Sequence, residues 1–124
     1  MSSITVTRKF EFSYAHHLPE YQGDCANHHG HNSNVEVEFG QSSNLPEAYT
    51  GMVIDFKDIS KHVQPVIDEL DHKDLNEVFG PGYTPTAEHI AKWIAAEILI
   101  TPIGSGLIRV QVSETDNSFA TWRR

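Results

Sequence analysis

From Ile4 to His16 the even-numbered positions read Ile4, Val6, Arg8, Phe10, Phe12, Tyr14 and His16, apolar except for Arg8 and the closing histidine. Side chains of an extended strand alternate between faces, so this pattern predicts a strand with one face in the core. A polar, irregular stretch follows from Pro19 to Asn27, with turn chemistry at Gly23-Asp24. The odd positions then read His29, His31, Ser33, Val35, Val37 and Phe39, a second strand whose core-facing stripe runs out into two histidines. Gly40–Pro46 reads as a loop. The period then changes. Phe56, Ile59, Val63, Val66/Ile67 and Leu70 recur at helical spacing behind Asp55, a good N-cap residue. Pro65 lies inside that pattern and is expected to kink the helix or end its regular hydrogen bonding. Gly80-Pro81-Gly82 and Pro85 make a loop. Thr86 is the next N-cap candidate, with Glu88 in the first turn, where the helix dipole favours an acid. Ile90, Ala91, Ile94 and Ile98, beside Trp93, give this second helix its buried face, and Pro102 and Gly104 stop it. Ile108, Val110, Val112 and Glu114 alternate again, Asp116-Asn117 turns, and Phe119 to Trp122 returns as a short strand. The order is β-β-α-α-β-β, an α+β plan. The edges of so small an antiparallel sheet invite pairing between subunits, so a homo-oligomer is expected.

Length and charge narrow the function classes. At 124 residues the chain suits one domain over residues 1–124, with no repeat and no internal linker. Nine Lys+Arg against 17 Asp+Glu leave a net charge of −8. Lys and Arg never cluster beyond two, which argues against a nucleic-acid footprint and against polybasic attachment to a membrane. The apolar-rich run from Ile94 to Ile103 is interrupted by Glu97 and is too short to span a bilayer. The N-terminus lacks the apolar core of a signal peptide, and a single cysteine allows no internal disulfide, so a reducing cytoplasm is expected. No glycine fingerprint for a dinucleotide is present, and neither nicotinamide nor flavin is expected. The unusual feature is eight histidines, five of them between His16 and His31.

In His29-Gly30-His31 a regular strand puts both imidazoles on one face. His16 ends the first stripe and can meet them across a hairpin. Three neutral imidazoles with a fourth position left open is the pattern of catalytic zinc. Cys25, in the loop feeding this pair, has three readings. It is a small buried hydrophobe, a thiolate base or nucleophile stabilised by the metal, or a fourth ligand closing a purely structural site. His17 and His28 fall at the lip or on the surface. In Asp71-His72 an aspartate can orient a histidine for proton transfer, or it caps a loop beside a solvated ring. Glu114 takes core-facing parity, where an unpaired carboxylate is costly. It pairs with a backbone turn, or it awaits a ligand with adjacent N–H donors, such as an amidine or guanidine edge. An iron oxygenase of the cupin kind also uses His-x-His, but the two-helix middle of this chain argues against it.

Six segments occur in one order: Phe12-Ser13-Tyr14-Ala15-His16, Cys25-Ala26-Asn27-His28-His29-Gly30-His31, Asp55-Phe56, Leu70-Asp71-His72-Lys73-Asp74-Leu75-Asn76, Pro85-Thr86-Ala87-Glu88 and Glu114-Thr115. Together they resemble the 6-pyruvoyl-tetrahydropterin synthase family. The three residues between Cys25 and His29 resemble its 6-carboxytetrahydropterin synthase branch. The resemblance implies a T-fold, a four-stranded antiparallel sheet with two helices on one face, assembled into trimers or hexamers with active sites at subunit boundaries. It implies one zinc per subunit on His16, His29 and His31, a catalytic triad of Cys25, Asp71 and His72, and a pterin anchored by Glu114. Thr86 and Glu88 would border the pterin pocket. The implied reaction converts 7,8-dihydroneopterin triphosphate to 6-carboxytetrahydropterin, acetaldehyde and triphosphate, toward 7-deazapurines such as queuosine. Pyruvoyl-type triphosphate elimination and a non-catalytic zinc-containing pterin-binding protein are the alternatives.

Overall fold

The computed structural model describes residues 3–18, 27–45 and 50–124. Its elements are β1 (Val6–His16), β2 (His29–Phe39), α1 (Phe56–Asp68), β3 (Lys73–Asp74), α2 (Leu75–Phe79), α3 (Ala87–Leu99), a 3-10 turn at Gly104–Gly106, β4 (Leu107–Thr115) and β5 (Ser118–Arg123). The sheet order is β3-β1-β2-β4-β5. Each neighbouring pair among the four long strands is antiparallel, as expected. The expected count of four becomes five, because Lys73–Asp74 adds a two-residue parallel edge beside Tyr14 and Ala15. The segment is too short and too polar to carry an alternating stripe, so periodicity could not register it. The five-residue α2, capped by the Asp74 side chain on the Asn76 N–H, is a second addition to the expected plan.

β1 and β2 pair without interruption from Val6–Phe39 to His16–His29. The two apolar stripes therefore lie side by side on one face, and that face is the core. Phe10, Phe12, Val35, Val37 and Phe39 are buried there, while the intervening residues of both strands face away. On β4 the ladder slips by one residue, with Glu38 opposite Arg109 but Phe39 opposite Leu107. Ile108 is the extra residue. Leu107 takes the buried position and Ile108 is half-buried, so the stripe expected to begin at Ile108 begins one residue earlier. Such a bulge breaks the two-residue period that sequence reading relies on.

α1 and α3 cover this face. α1 lays Ile59, Val63, Val66 and Ile67 inward, and α3 lays down Ile90, Ala91, Ile94, Ala95 and Ile98. Each fully buried isoleucine contributes roughly 1.5–3 kcal/mol. Asp55 accepts from the Lys57 N–H and Thr86 from the His89 N–H, so both expected N-caps are formed. Pro65 does not end α1, which runs on to Asp68. Its ring is on the exposed side, and buried Val66, Ile67 and Leu70 hold the last turn in place. After α3 the chain turns against its own helix end. A Cβ on Gly104 would overlap the Leu99 carbonyl, so this turn requires glycine.

Candidate metal centre and proton-transfer pair

The core stripes of β1 and β2 change chemistry at one end of the sheet. Phe10 and Phe12 give way to Tyr14 and His16, and Val37 and Val35 give way to Ser33, His31 and His29. The register sets His16 opposite His29, and Tyr14 opposite His31. Hairpin pairing thus brings together three imidazoles that are up to 15 residues apart in sequence, with ligand atoms all within 4.8 Å of one another. His16 is fully buried, and the other two are half-buried.

Hydrogen bonding sets the tautomers. The Nδ1–H of His16 donates to the Pro85 carbonyl at 2.7 Å, and the Nδ1–H of His29 donates to the Asn27 carbonyl at 2.7 Å. Both Nε2 atoms then present lone pairs, yet they stand 2.9 Å apart. Two lone pairs at that separation repel unless a proton or a cation sits with them. The Nε2 of His31 is buried with no hydrogen-bond partner. An orphaned buried acceptor is expensive, and a carbonyl holding the far nitrogen of a ligating imidazole is the usual arrangement around a metal. This donor set fits a borderline divalent ion that accepts nitrogen ligands, such as zinc. Burial lowers the pKa of His16 and of His31, which keeps both rings neutral, the form a metal needs.

Glu114 has the core-facing parity expected of it. Its Oε1 lies 3.6 Å from His31 Nε2 and 4.0 Å from His16 Nε2, with the side chain about one-third exposed. A ligand can therefore reach this carboxylate beside the imidazoles. Tyr14 is buried between Phe12, His16 and His31, and its hydroxyl also has no partner.

The second group forms where the chain leaves α1. Asp71 Oδ1 accepts from the Ser13 N–H at 2.9 Å and lies 3.0 Å from His72 Nδ1. The Ser13 N–H, then burial in the opposite sense, then His72 act on Asp71, and the net effect is a lowered pKa. His72 donates its own N–H to the Ser13 carbonyl and has φ 60°, the left-handed region that a histidine rarely occupies. Ser13 thus clamps both residues from β1. With Nδ1–H on Asp71, the Nε2 of the largely exposed His72 is free to exchange a proton. His31 and His72 line one open groove with Lys73 and Asp74.

The structure places the remaining expected residues as follows. Thr86 spends its hydroxyl capping α3. Glu88 is exposed and lines a separate groove with Phe119 and Trp122. Cys25, with the turn at Gly23-Asp24, lies outside the described residues. Gly30 faces away from the imidazoles, opposite Ala15, with only ordinary contact awaiting a Cβ, so packing within the chain does not demand glycine there. Sequence reading missed the main-chain groups that orient the site: the Pro85 and Asn27 carbonyls, the Glu114 main chain beside His31, and Ser13. Only Pro85 carried a signal, as the residue before the Thr86 cap.

Known proteins are similar to this chain over nearly its whole length. The 6-pyruvoyl tetrahydropterin synthase family model matches residues 5–124. A 6-carboxy-5,6,7,8-tetrahydropterin synthase from Synechocystis is 37% identical over 120 residues, which cover 94% of this chain and 91% of that protein. A 6-pyruvoyl tetrahydrobiopterin synthase from Dictyostelium discoideum is 29% identical, covering 98% and 96% respectively. The solved structure of the Caenorhabditis elegans 6-pyruvoyl tetrahydropterin synthase superposes with a TM-score of 0.83 at 27% identity, over 100% of this chain and 97% of that one. With the family model matched over residues 5–124 and the fold shared with a solved member, the chain belongs to the 6-pyruvoyl tetrahydropterin synthase family.

Proposed function

We propose that this chain is a zinc-dependent 6-carboxytetrahydropterin synthase acting on 7,8-dihydroneopterin triphosphate. The observation that carries the reading is the convergence of His16, His29 and His31 beside Glu114, at one end of a sheet that also holds the Asp71–His72 pair. The carboxy branch is supported by the short Cys25–His29 spacing and by the name of the Synechocystis relative. Zinc, one per subunit, would be held by the three imidazoles, and when bound it supplies Lewis-acid activation of substrate hydroxyls. Glu114 offers two parallel acceptors to the amidine-like edge of the pterin and fixes its orientation. Asp71 holds the Nδ1–H of His72, which leaves Nε2 to take and return a proton at the side-chain carbons. Cys25 is assigned the complementary proton transfer. Thr86 and Glu88 are assigned to the border of the pterin pocket. Glu88 lines a groove away from the histidines, so it suits a pocket completed by a second subunit, in a trimer or hexamer. Electrons are redistributed within the substrate, and the reaction needs neither nicotinamide nor flavin. We place the activity in the cytoplasm, supplying 7-deazapurine synthesis such as that of queuosine.

The pyruvoyl reaction is the second reading. It is favoured by Glu114-Thr115-Asp116-Asn117, which is more like the pyruvoyl branch. Product analysis by mass spectrometry separates the two. Zinc-loaded protein incubated with 7,8-dihydroneopterin triphosphate, without reductant, should yield 6-carboxytetrahydropterin and acetaldehyde. Pyruvoyl-tetrahydropterin would overturn the branch assignment. No turnover by folded, zinc-replete protein would leave a pterin-binding role.

A further inference from the structure

The carbonyl that holds the Nδ1–H of His16 belongs to Pro85, 69 residues away in sequence. Pro85 is buried and stands at the apex of a three-residue turn, closed by the Thr86 N–H on the Thr84 carbonyl at 2.9 Å. Proline's fixed φ suits the middle of such a turn, and the residue has no N–H of its own to satisfy. The turn therefore offers its middle carbonyl to the site. A single hydrogen bond does not offset the backbone entropy of three ordered residues, so the turn needs support from elsewhere in the fold.

His89 supplies that support. It lies half-buried in the first turn of α3. Its Nδ1–H donates to the Thr84 carbonyl, and its main-chain N–H donates to Thr86 Oγ1 at 3.2 Å. A carbonyl only accepts, so the ring nitrogen on Thr84 carries the proton. The His89 carbonyl accepts from the Tyr83 hydroxyl at 3.1 Å, and the two rings lie 4.6 Å apart between centroids, tilted by 34°. One residue is thus bonded to the chain on both sides of Pro85. α3 is itself anchored in the core by Ile90 and Ile94. The contacts run from the core through His89 and the turn to a ring nitrogen of His16.

We propose that His89 is a positioning residue for the three-histidine metal centre. Its ring fixes the turn, the Pro85 carbonyl fixes the His16 imidazole, and His16 Nε2 is thereby aimed at the ligand nitrogens of His29 and His31. This inference rests on reading those three residues as a metal centre. Loss of the group behind a ligating imidazole typically costs about 10- to 100-fold in metal affinity. A main-chain carbonyl cannot be removed by substitution, so its support is the group to change. Without the His89 ring the turn can move, and His16 loses its fixed orientation.

The test is the zinc affinity of metal-free full-length protein, measured by competition with a chromophoric chelator at pH 7.5. His89→Phe keeps a ring against Tyr83 and loses the Nδ1–H. His89→Asn keeps an N–H donor close to the place of Nδ1. Both retain the main-chain bonds to Thr86 and Tyr83. The Phe variant should bind zinc about 10- to 100-fold more weakly, and the Asn variant should stay within about threefold of the wild type. Urea midpoints of the metal-free proteins are measured alongside, because an ion's affinity for a chain already folded does not depend on that chain's stability. If the Phe variant does not fold, His89→Ala, a good helix former at a half-buried position, takes its place with the same expected loss. A lower urea midpoint with unchanged zinc affinity would overturn the proposal and leave His89 a packing residue. Equal weakening in the Phe and Asn variants would also overturn it, since the ring donor would not be the cause. A wild type that binds no zinc tightly would overturn the metal centre itself and this inference with it.

Discussion

His72 has φ 60° on a residue with no conformational reason to be there, and its ring is largely solvated. A side chain in the left-handed region costs about 1–2 kcal/mol relative to glycine, part of which glycine returns as unfolded-chain entropy. His72→Gly should therefore raise stability by about 0.5–1 kcal/mol in urea denaturation while lowering turnover roughly 10²-fold or more. A destabilised, active His72→Gly would show that the conformation serves packing and not chemistry. Glu114 stands beside the imidazoles with its carboxylate, and its main chain also hydrogen-bonds His31. Glu114→Gln removes a charge-assisted pair of bonds worth about 1.5–3 kcal/mol, so pterin affinity should fall about 10- to 100-fold with zinc content unchanged. Loss of zinc in that variant would reassign Glu114 as a metal ligand. At this scale the sequence showed residue types well. Parity placed Glu114, and stripe ends placed the three histidines. Parity could not show that main-chain carbonyls fix the tautomers, because every residue carries a carbonyl.

α1 shows how tertiary packing overrides a local signal. Pro65 removes one helix hydrogen bond, yet the helix continues because Val66, Ile67 and Leu70 are locked into the core. Proline in a helix interior costs about 3 kcal/mol, offset in part by its stiffening of the unfolded chain. Pro65→Ala, at an exposed position, should stabilise the domain by about 1–2 kcal/mol as measured by its urea midpoint. No gain would mean that α1 has already bent to absorb the lost bond. The short β3 and α2 teach the converse. They form where Asp74 caps a helix and where Tyr14 and Ala15 offer a free edge, neither of which makes a periodic pattern.

In the whole molecule, one end of the sheet gathers groups that a compact fold tolerates only in particular protonation and ligation states. The pKa of buried His16 lies below the ordinary 6.5, so the unfolded chain binds the extra proton first. Its contribution to stability is present above pH 6.5 and is lost as pH falls below that value. Acid should also release the metal, because protons compete for the same nitrogens. Melting temperature should therefore drop from pH 7.5 to pH 5.5, and a chelator at pH 7.5 should lower it further than it does at pH 5.5. A chelator without effect at pH 7.5 would mean that the imidazole cluster holds no ion. No helix of the described residues is long and apolar enough to cross a membrane.

The stripes ending at His16 and His29, the caps at Asp55 and Thr86, and the α+β order were determined by the sequence itself. Each is a local pattern, set by the alternation of strand faces or the turn of a helix. The direct opposition of His16 and His29, the slip at Ile108 and the clamp of Ser13 on Asp71-His72 were decided only by the tertiary structure. Each depends on register between distant segments. A shift of one residue in that register would put His16 on the opposite face from His29 and His31, and nothing in a single strand's own pattern records which partner residue it will face.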